Sequence, residues 1–345
     1  MIDLINKLEN NRSLSLEEYE YLIINRNEES ARILAEKATE ARKKIYGNDV
    51  YIRGLIEISN VCKNDCLYCG IRRGNKNCDR YRLTDEEILS CCDEGYLLGF
   101  RTFVMQGGED PYFSDDKICS IVSEIKRRYP DCAVTLSLGE KSFESYKKLY
   151  DSGADRYLLR HETADAIHYG KLHPYELSFE NRIECLHNLK KIGFQTGCGF
   201  MVGSPYQTAL NIAKDLKFIE VFKPEMCGIG PFIPHKDTCF RDEKAGTVEL
   251  TCYLLSIVRL ISPNILLPST TALGSIDPVG REKGILAGAN VVMPNLSPYD
   301  VRNKYALYNN KNFSGAEAAS NVNELKSRME SIGYKIVTAK GDFKK

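Results

Sequence analysis

The sequence predicts an α/β protein whose core is a (β/α)8 barrel of the TIM type, and three observations support this fold class. Eight short apolar segments alternate with amphipathic helical segments, as expected for parallel βαβ units. The chain has 345 residues, enough for one such barrel, which takes about 250, and for additional segments. Polar or glycine-rich residues follow the predicted strands, at the end where these barrels carry their chemistry.

The chain divides into three predicted parts. Residues 1–47 are predicted to form an N-terminal helical extension, because apolar residues recur at helical intervals after the candidate caps Ser13 and Ser15. Residues 48–296 are predicted to form the barrel. Residues 297–345 have a mixed pattern and are expected to pack across the bottom or the mouth of the barrel.

The barrel elements follow from local patterns. Thr84 and Glu87 form a capping box that opens a helix, and Gly193 ends another helix. Apolar runs bounded by turn residues predict the strands. The predicted strands are 51–59, 102–106, 132–138, 155–160, 196–202, 225–230, 265–270 and 290–294. The predicted helices are 84–99, 115–129, 142–151, 178–192, 207–222, 247–261 and 280–287.

Composition excludes several function classes. Lys and Arg together number 47, as do Asp and Glu, so the chain lacks the electrostatic footprint of a nucleic-acid-binding protein. The first residues are charged and amphipathic, unlike a signal peptide, and no apolar run approaches the roughly 18 residues of a membrane helix. The 13 cysteines are scattered and odd in number, which favours reduced thiols. We therefore predict a cytoplasmic protein with neither nucleic-acid nor membrane partners.

Three cysteines, Cys62, Cys66 and Cys69, follow the first predicted strand at CxxxCxxC spacing. Thiolates are soft ligands suited to zinc, copper(I) or iron–sulfur clusters. A structural zinc site has four closed ligands, whereas a cubane cluster held by three cysteines leaves one iron open for an exogenous chelate. The spacing therefore indicates a catalytic cluster. A zinc clip and three buried free cysteines are the alternatives.

This loop, with the aromatic Tyr68 before its last cysteine, resembles the signature of radical S-adenosylmethionine (SAM) enzymes. In that superfamily three cysteines hold a 4Fe–4S cluster, and SAM chelates the fourth iron through its amine and carboxylate. The segment Gly107-Gly108-Glu109 resembles the GGE motif whose backbone holds the methionine part of SAM. Glycine suits such a close backbone approach, and a plain turn is the alternative.

The resemblance assigns further residues to SAM. Glu162 is expected to hydrogen bond to the ribose or the amino-acid part, with Arg182 meeting the carboxylate. A structural ion pair with Arg160 or Arg182 is the alternative for Glu162. Met201 and Met226 are candidates for the adenine pocket, although methionine at such positions is as often core. The predicted SAM-binding residues are Tyr68, Gly107, Gly108, Ser137, Glu162, Arg182, Met201 and Met226.

Arg156 lies in the fourth predicted strand, where a buried guanidinium needs an anion or a carboxylate partner. We predict that it grips a small anionic substrate together with Thr270 and Thr271, which end the seventh strand. A structural salt bridge is the alternative for Arg156.

Longer strings resemble the HydE family of radical SAM maturases of [FeFe] hydrogenase. They lie at 59–62, 66–70, 80–84, 108–112, 135–140, 153–163, 228–235, 288–295 and 305–308. The resemblance implies a (β/α)8 barrel and reductive cleavage of SAM to a 5′-deoxyadenosyl radical. It also implies a product that feeds assembly of the hydrogenase di-iron subcluster.

The same resemblance implies catalytic residues and partners. Thr135 and Tyr305 are the predicted catalytic residues, lining the barrel interior with Arg156, Thr270 and Thr271. The implied substrate is small and anionic or organometallic, such as a cysteine-bound iron–carbonyl–cyanide precursor. A reductant protein such as ferredoxin or flavodoxin, and other hydrogenase maturases, are the implied partners.

The chain departs from many HydE proteins in one respect. Those proteins carry a second cluster on cysteines shortly after the position of Tyr308, whereas no cysteine follows Cys252 here, so one cluster is predicted. A 3-methylornithine synthase, which rearranges lysine, is the alternative function. Biotin synthase is disfavoured because strand two has no cysteine and Thr135 occupies the place of one in strand three. A non-catalytic Fe–S or zinc scaffold is disfavoured by the polar groups at the strand ends.

Overall fold

The barrel predicted from the sequence forms the core of the computed structural model, which describes residues 1–312 and 318–345. The strands are β1 (Asp49–Ile52), β2 (Gly54–Ser59), β3 (Thr102–Gly107), β4 (Ala133–Ser137), β5 (Arg156–Leu158), β6 (Gln195–Cys198), β7 (Met201–Val202), β8 (Met226–Cys227), β9 (Gly230–Pro231), β10 (Val291–Val292) and β11 (Lys335–Val337). The α-helices are α1 (Ile2–Asn11), α2 (Leu16–Ile24), α3 (Glu28–Tyr46), α4 (Asp85–Leu97), α5 (Asp115–Arg128), α6 (Phe143–Asp151), α7 (Ala166–Leu172), α8 (Phe179–Ile192), α9 (Ala209–Phe222), α10 (Val248–Ile261), α11 (Thr271–Ile276), α12 (Gly280–Leu286), α13 (Tyr299–Arg302) and α14 (Val322–Ser331).

Parallel pairing closes the barrel. β2, β3, β4, β5, β6 and β8 form one sheet in that order. Single bridges at Leu266 and Pro268 link β8 to β10, and the eighth strand position returns to the first through Leu55 and Asn295. A hydrogen bond of 2.9 Å from Leu55 N to Pro294 O seals this joint. The eight parallel strand positions confirm the predicted fold class.

Local signals begin and end the helices. Thr84 Oγ1 accepts the amide of Glu87 at 3.2 Å, and Glu87 Oε2 accepts the amide of Thr84 at 2.7 Å, which completes the capping box of α4. Gly193 follows α8 with φ of 113°, a left-handed conformation that glycine adopts readily. The helices α7 and α11 were not predicted, because seven and six residues are too few to give a helical periodicity.

The fifth and sixth barrel strands are shorter than predicted. Each is interrupted by a bend, so that β7 follows β6 and β9 follows β8. Gly199 lies at the first bend with φ of 153°, and a Cβ there would lie 2.0 Å from Gly228 O. The two bent strands therefore approach each other as closely as they do only because residue 199 is glycine.

Alternate residues of each strand point into the barrel, and the register arranges them in layers of four. We call the end where the strands begin the lower end, and the end where they finish the upper end. A lower layer contains Thr102, Arg156, Met226 and Val291, all buried. Two upper layers contain Leu55, Ser137, Gly199 and Thr270, and then Gln106, Arg160, Gly230 and Asn295. Several upper side chains are half-buried, so the interior opens towards the upper end.

The C-terminal segment contacts both ends of the barrel. β11 pairs with β1 beside the lower end. Beyond it, Lys340 O accepts hydrogen bonds from Thr102 Oγ1 at 2.8 Å and from Arg156 at 3.0 Å, which closes the lower end. At the upper end, Gly70 N donates to Leu307 O at 2.8 Å. The C-terminal segment was predicted to pack across the bottom or the mouth of the barrel, and in the structure it contacts both.

The N-terminal helices cover the outside of the barrel. α3 packs on α10, and α2 packs on α9. Within 1–312 and 318–345, no helix combines the length and the apolar character that crossing a membrane requires. The domain boundaries after residues 47 and 296 stay predictions, and part of the third predicted region, 313–317, lies outside the described residues.

Candidate active site

The cysteine loop leaves the upper end of β2 and is fixed by two side chains. Arg80 donates to backbone carbonyls on both sides of the cysteines, 2.5 Å from Asn60 O and 2.7 Å from Ile71 O. Asn60 donates from Nδ2 to Asp79 O at 2.8 Å and accepts the amide of Tyr81 at 2.8 Å. These cross-links hold a loop without regular secondary structure in one shape.

Cys62, Cys66 and Cys69 are half-buried free thiols in this loop. Burial raises the pKa of all three, to about 12 for Cys69, so iron binding has to displace their protons. The amide of Glu109 donates to Cys62 Sγ at 3.4 Å, a contact that favours sulfur in its anionic form. Among the described residues no three His, Cys, Asp or Glu side chains surround one metal ion, and a cubane does not need this because each thiolate binds its own iron. The soft donor set therefore fits a 4Fe–4S cluster.

The glycine motif after β3 packs directly against the cysteine loop. A Cβ at Gly108 would lie 2.2 Å from Val61 O and 2.8 Å from Cys62 Cβ, so no side chain fits there. The amide of Lys63 donates to Glu109 O at 2.9 Å, which ties the two segments together. This close approach goes beyond a plain turn, because it brings the backbone of the motif against the first cysteine.

Glu162 has two features of a ligand-binding carboxylate. Its φ is 65°, in the left-handed region that non-glycine residues rarely adopt, and it is 8% exposed. Its Oε2 lies 3.2 Å from a guanidinium nitrogen of Arg160 but lacks the geometry of a hydrogen bond. A buried carboxylate oxygen without a hydrogen bond, on a strained backbone, is available to a ligand hydroxyl or amine.

Arg182, the predicted partner of the SAM carboxylate, has protein partners. Its Nε donates to the Glu140 carboxylate, and another guanidinium nitrogen donates to Arg160 O at 2.7 Å. These contacts place Arg182 between Glu140 and Arg160, at the ends of the third and fourth barrel strands. Its binding to SAM stays a prediction.

Tyr68 and Met201 share an apolar cluster beside the cysteine loop, with Leu172 and Phe232. The hydroxyl of Tyr68 lies 3.3 Å from His173 Nε2. His173 Nδ1 lies 3.0 Å from the carbonyl oxygen of Tyr169, which can only accept, so Nδ1 carries the proton and Nε2 accepts from Tyr68. Burial lowers the pKa of His173 to about 3, which keeps the ring neutral. The orientation of Tyr68 is therefore set by a fixed tautomer.

His161, adjacent to Glu162, is fully buried against Asp215. Its Nε2 lies 3.3 Å from Asp215 Oδ1, and its Nδ1 accepts the amide of Gly199 at 3.3 Å. Burial lowers the pKa of His161 to about 3 and raises that of Asp215, which disfavours the charged form of both groups. The pair supports the strand end that carries Glu162.

Two predicted site residues lie at the wrong end of the barrel. Met226 packs with Tyr51 and Leu266 in the lower layers, so its assignment to the adenine pocket is wrong. Arg156 is fully buried, and its guanidinium lies 2.5 Å from the carboxylate of Asp342 in the C-terminal segment. The structural salt bridge considered as the alternative is therefore correct for Arg156, and its assignment to the substrate is wrong.

The cation at the upper end is Arg160, which the sequence reasoning treated only as a partner of Glu162. Two of its buried guanidinium nitrogens, Nε and one terminal nitrogen, have no hydrogen-bond partner. It faces the same interior as Arg156 but lies four residues further up the strand. The position of Arg160 at the carboxyl end of a predicted strand could have identified it, because the active sites of these barrels lie at that end.

The remaining predicted residues face the interior at different depths. Thr135 and Thr270 each have a buried hydroxyl without a hydrogen-bond partner, with Thr135 lower in the barrel. Thr271 begins α11, directly after Thr270. Tyr305 is buried at the upper end, where its hydroxyl accepts from Gln106 Nε2 at 3.3 Å. Ser137 ends β4 half-buried. Roles for these residues stay predictions.

Comparisons with known proteins agree with this geometry. Residues 56–219 match the family described as the Radical SAM superfamily. The chain is 49% identical over 278 residues to the [FeFe] hydrogenase maturase subunit HydE of Thermotoga maritima, covering 81% of this chain and 79% of that protein. It is 29% identical over 281 residues to 3-methylornithine synthase of Methanosarcina acetivorans, covering 81% and 79%. The solved structure of methylornithine synthase (PylB) superposes with a TM-score of 0.84 at 25% identity, over 97% of both chains.

The barrel, the three-cysteine loop and the superfamily match define a radical SAM enzyme. Within that superfamily, the chain belongs to the family of the [FeFe] hydrogenase maturase subunit HydE. Its cofactors are accordingly a 4Fe–4S cluster and SAM. Cys62, Cys66 and Cys69 are the residues that would hold the cluster.

Proposed function

We propose that this chain cleaves SAM reductively at the upper end of the barrel, and that its product serves assembly of the [FeFe] hydrogenase di-iron site. The observation that carries the proposal is the contact between the glycine motif and the cysteine loop, where Gly108 has no room for a side chain beside Val61 and Cys62. A SAM molecule held by the backbone of this motif would lie beside the cluster-binding cysteines. The 49% identity to a HydE protein supports the hydrogenase assignment.

The chain's own residues bind and orient the reactants. The cluster with bound SAM supplies a 5′-deoxyadenosyl radical when it is reduced. Glu162 accepts a hydrogen bond from SAM, and Tyr68, fixed by His173, contributes to the adenine pocket. Ser137 and Arg182 complete the set that we assign to SAM.

Arg160 is the residue that we assign to the substrate. Two of its guanidinium nitrogens lack a hydrogen bond, one of them 3.2 Å from Glu162 Oε2, and they face an interior that also contains the hydroxyls of Thr270 and Thr135 without hydrogen-bond partners. The guanidinium group of arginine can donate two parallel hydrogen bonds to one carboxylate. Such a bidentate contact would fix the position of the substrate relative to the 5′-deoxyadenosyl radical. Thr271 and Tyr305 are the other groups at this end, and the substrate is a small anion or a carboxylate-bearing iron complex.

The proposed partners follow from the reaction. A reductant protein such as ferredoxin or flavodoxin supplies the electron, and the other hydrogenase maturases supply the substrate or take the product. We propose a cytoplasmic location, because these steps require reduced thiols at the cluster site.

The experiment is anaerobic maturation of an [FeFe] hydrogenase with purified maturases. The parent chain is expected to support hydrogenase activity, and Arg160→Ala is expected to support at least about 100-fold less while still cleaving SAM. Arg160→Ala maturing hydrogenase as well as the parent would refute the substrate assignment.

The second candidate function is that of a lysine mutase, and the structural similarity to methylornithine synthase favours it. It is tested in the same preparations by supplying lysine. If the parent chain supports no hydrogenase maturation but converts lysine to methylornithine, the lysine mutase function is correct.

A further inference from the structure

The cysteine loop carries more basic than acidic side chains. Residues 60–80 contain five Lys or Arg side chains and two Asp side chains, in a chain whose formal net charge is zero. Both carboxylates already have cationic partners at 2.9 Å, Asp65 with Arg72 and Asp79 with Lys304. Lys63 is paired with Glu109 at 3.2 Å and Arg80 is bonded to backbone carbonyls of the loop, so the charge that remains without an acidic partner belongs to Arg73 and Lys76.

Arg73 and Lys76 contribute much of this excess. Both are exposed, and neither has a carboxylate within ion-pair distance in the part of the chain that the structure describes. The amide of Arg73 donates to Asn64 O at 2.8 Å, which places Arg73 beside the segment between Cys62 and Cys66.

Lys236 extends the patch on the other side of the loop. Asn77 Nδ2 donates to Asp237 Oδ1 at 2.8 Å, which joins the neighbours of Lys76 and Lys236. His235 packs on the glycine that follows Cys69, since a Cβ at Gly70 would lie 2.5 Å from His235 Cδ2. Arg73, Lys76 and Lys236, which we call the basic surface, thus lie on two segments that contact each other beside the third cysteine, with the carboxylate of Asp237 between them.

We propose that the basic surface is the docking site of an acidic one-electron carrier protein, which reduces the cluster. The proposal rests on the proposed function, because reductive cleavage of SAM consumes one electron in each event. The carrier's cofactor loses that electron and the cluster gains it. Positive charge on the wall of the cluster site steers an acidic carrier to the place where the transfer path is short, and such steering raises association rates by about 10- to 1,000-fold.

The position of the surface favours a protein carrier over a nucleic acid. The chain as a whole is neutral, and the basic surface consists of only three side chains. A nucleic acid would require a longer basic track with many phosphate contacts.

The test measures cluster reduction directly and does not depend on SAM cleavage. Reconstituted protein is mixed anaerobically with reduced flavodoxin in a stopped-flow instrument, and bleaching of the cluster absorbance gives the second-order rate constant. The triple variant Arg73→Glu, Lys76→Glu and Lys236→Glu is compared with the parent. The control triple variant carries Lys44→Glu, Lys335→Glu and Lys345→Glu on the opposite end of the molecule, with the same change of six charge units.

We expect the basic-surface variant to react at least about tenfold more slowly at low ionic strength, while the control loses less than about twofold. The rate of the parent should fall steeply with added salt, and that of the variant should not. Dithionite should reduce all three proteins equally, which shows that the clusters are intact. Equal rates for the two triple variants would overturn the proposal, as would a parent that flavodoxin does not reduce.

SAM cleavage under dithionite, measured on the same samples, reports separately on the proposed function. Competition by a DNA oligonucleotide that abolishes reduction of the parent at micromolar concentration would assign the surface to a nucleic acid and overturn the carrier proposal.

Discussion

Arg156 and Arg160 lie on one strand of the barrel and face the same interior, but their environments are opposite. At the lower end, Arg156 is fully buried and paired with Asp342, with further hydrogen bonds to Thr102 and to Lys340 O. At the upper end, Arg160 is half-buried and keeps two guanidinium nitrogens without a hydrogen bond. At the lower end the chain's own tail pairs the charge of Arg156, although Arg53 Nε there also lacks a hydrogen bond, whereas at the upper end Arg160, Glu162 and Thr270 all keep such atoms.

The contrast separates stability from function within one interior. A buried charge that is fully paired contributes to the architecture, and removing one partner leaves an uncompensated charge. A buried polar group without a partner needs an explanation, and a ligand is one. Besides Arg160, Glu162 and Thr270 have side-chain oxygens without a hydrogen bond at the upper end.

The largest expected effect is loss of the cluster. Cys62→Ala removes one of three ligands, so the reconstituted protein is expected to lose SAM cleavage entirely and to bind iron at background level. The parent should contain about four irons and four sulfides per chain, the content of one cubane. Iron and sulfide analysis with electron paramagnetic resonance checks both.

Cys78 provides the matched control. It ends the same loop, where its Sγ accepts from Asn60 Nδ2 at 3.5 Å, but it is outside the CxxxCxxC spacing. Cys78→Ala should keep about four irons. About six or more irons in the parent, with a second paramagnetic species that survives Cys62→Ala, would contradict a single cluster.

The second prediction tests the two arginines against each other. Arg156→Met should lower the free energy of unfolding by about 1–3 kcal/mol, because the buried acceptors Thr102 Oγ1 and Lys340 O lose a donor while the half-exposed Asp342 can be solvated. Arg160→Met should lower the melting temperature less, because Arg160 is half-buried and its ion pair with Glu162 at 3.2 Å lacks hydrogen-bond geometry. Differential scanning fluorimetry of both reconstituted variants measures this, and a reversed order of melting temperatures would contradict the comparison.

The fold was predictable from the sequence to a greater extent than the site. Strand–helix alternation and caps such as Thr84 are local signals, and they predicted the barrel. The pairing of Arg156 was not predictable, because its partner Asp342 is 186 residues away in a segment without a strong pattern. The assignment of Met226 to the adenine pocket was wrong for a related reason. The strand bends after β8, so its upper end lies at Gly230, four residues after Met226.

Residues whose spacing is itself the signal were predicted best. Cys62, Cys66 and Cys69 lie together because the loop is short and is closed by Arg80 and Asn60. Arg160 was not predicted as a substrate-binding residue, because the anion site was assigned to Arg156 in the same predicted strand. Strand 155–160 is in fact regular only over β5, so its last residues already belong to the site.

The third prediction concerns SAM affinity. Glu162→Ala should weaken SAM binding by about 10- to 100-fold, because a charge-assisted hydrogen bond contributes roughly 1.5–3 kcal/mol. Iron content should stay at the parent level. Equilibrium dialysis with labelled SAM measures the affinity, and an unchanged dissociation constant would return Glu162 to a structural ion pair with Arg160.

The smallest expected effect distinguishes the two methionines. Met201 shares a cluster with Tyr68 beside the cysteine loop, whereas Met226 packs at the lower end. Met201→Ala should weaken SAM binding by about two- to fivefold, and Met226→Leu should leave it unchanged because a volume-conserving swap is tolerated. The same dialysis experiment applies, and a larger loss for Met226→Leu would contradict the assignment of the two ends.

The most direct test of the account is formation of 5′-deoxyadenosine by the reconstituted protein with SAM and dithionite under anaerobic conditions. The parent and Arg156→Lys, which keeps the lower-end charge, are expected to form it at similar rates, and Cys62→Ala is expected to form none. A parent with a full complement of iron and sulfide that binds SAM but forms no 5′-deoxyadenosine on reduction would contradict the claim that the upper end of this barrel is a radical SAM active site.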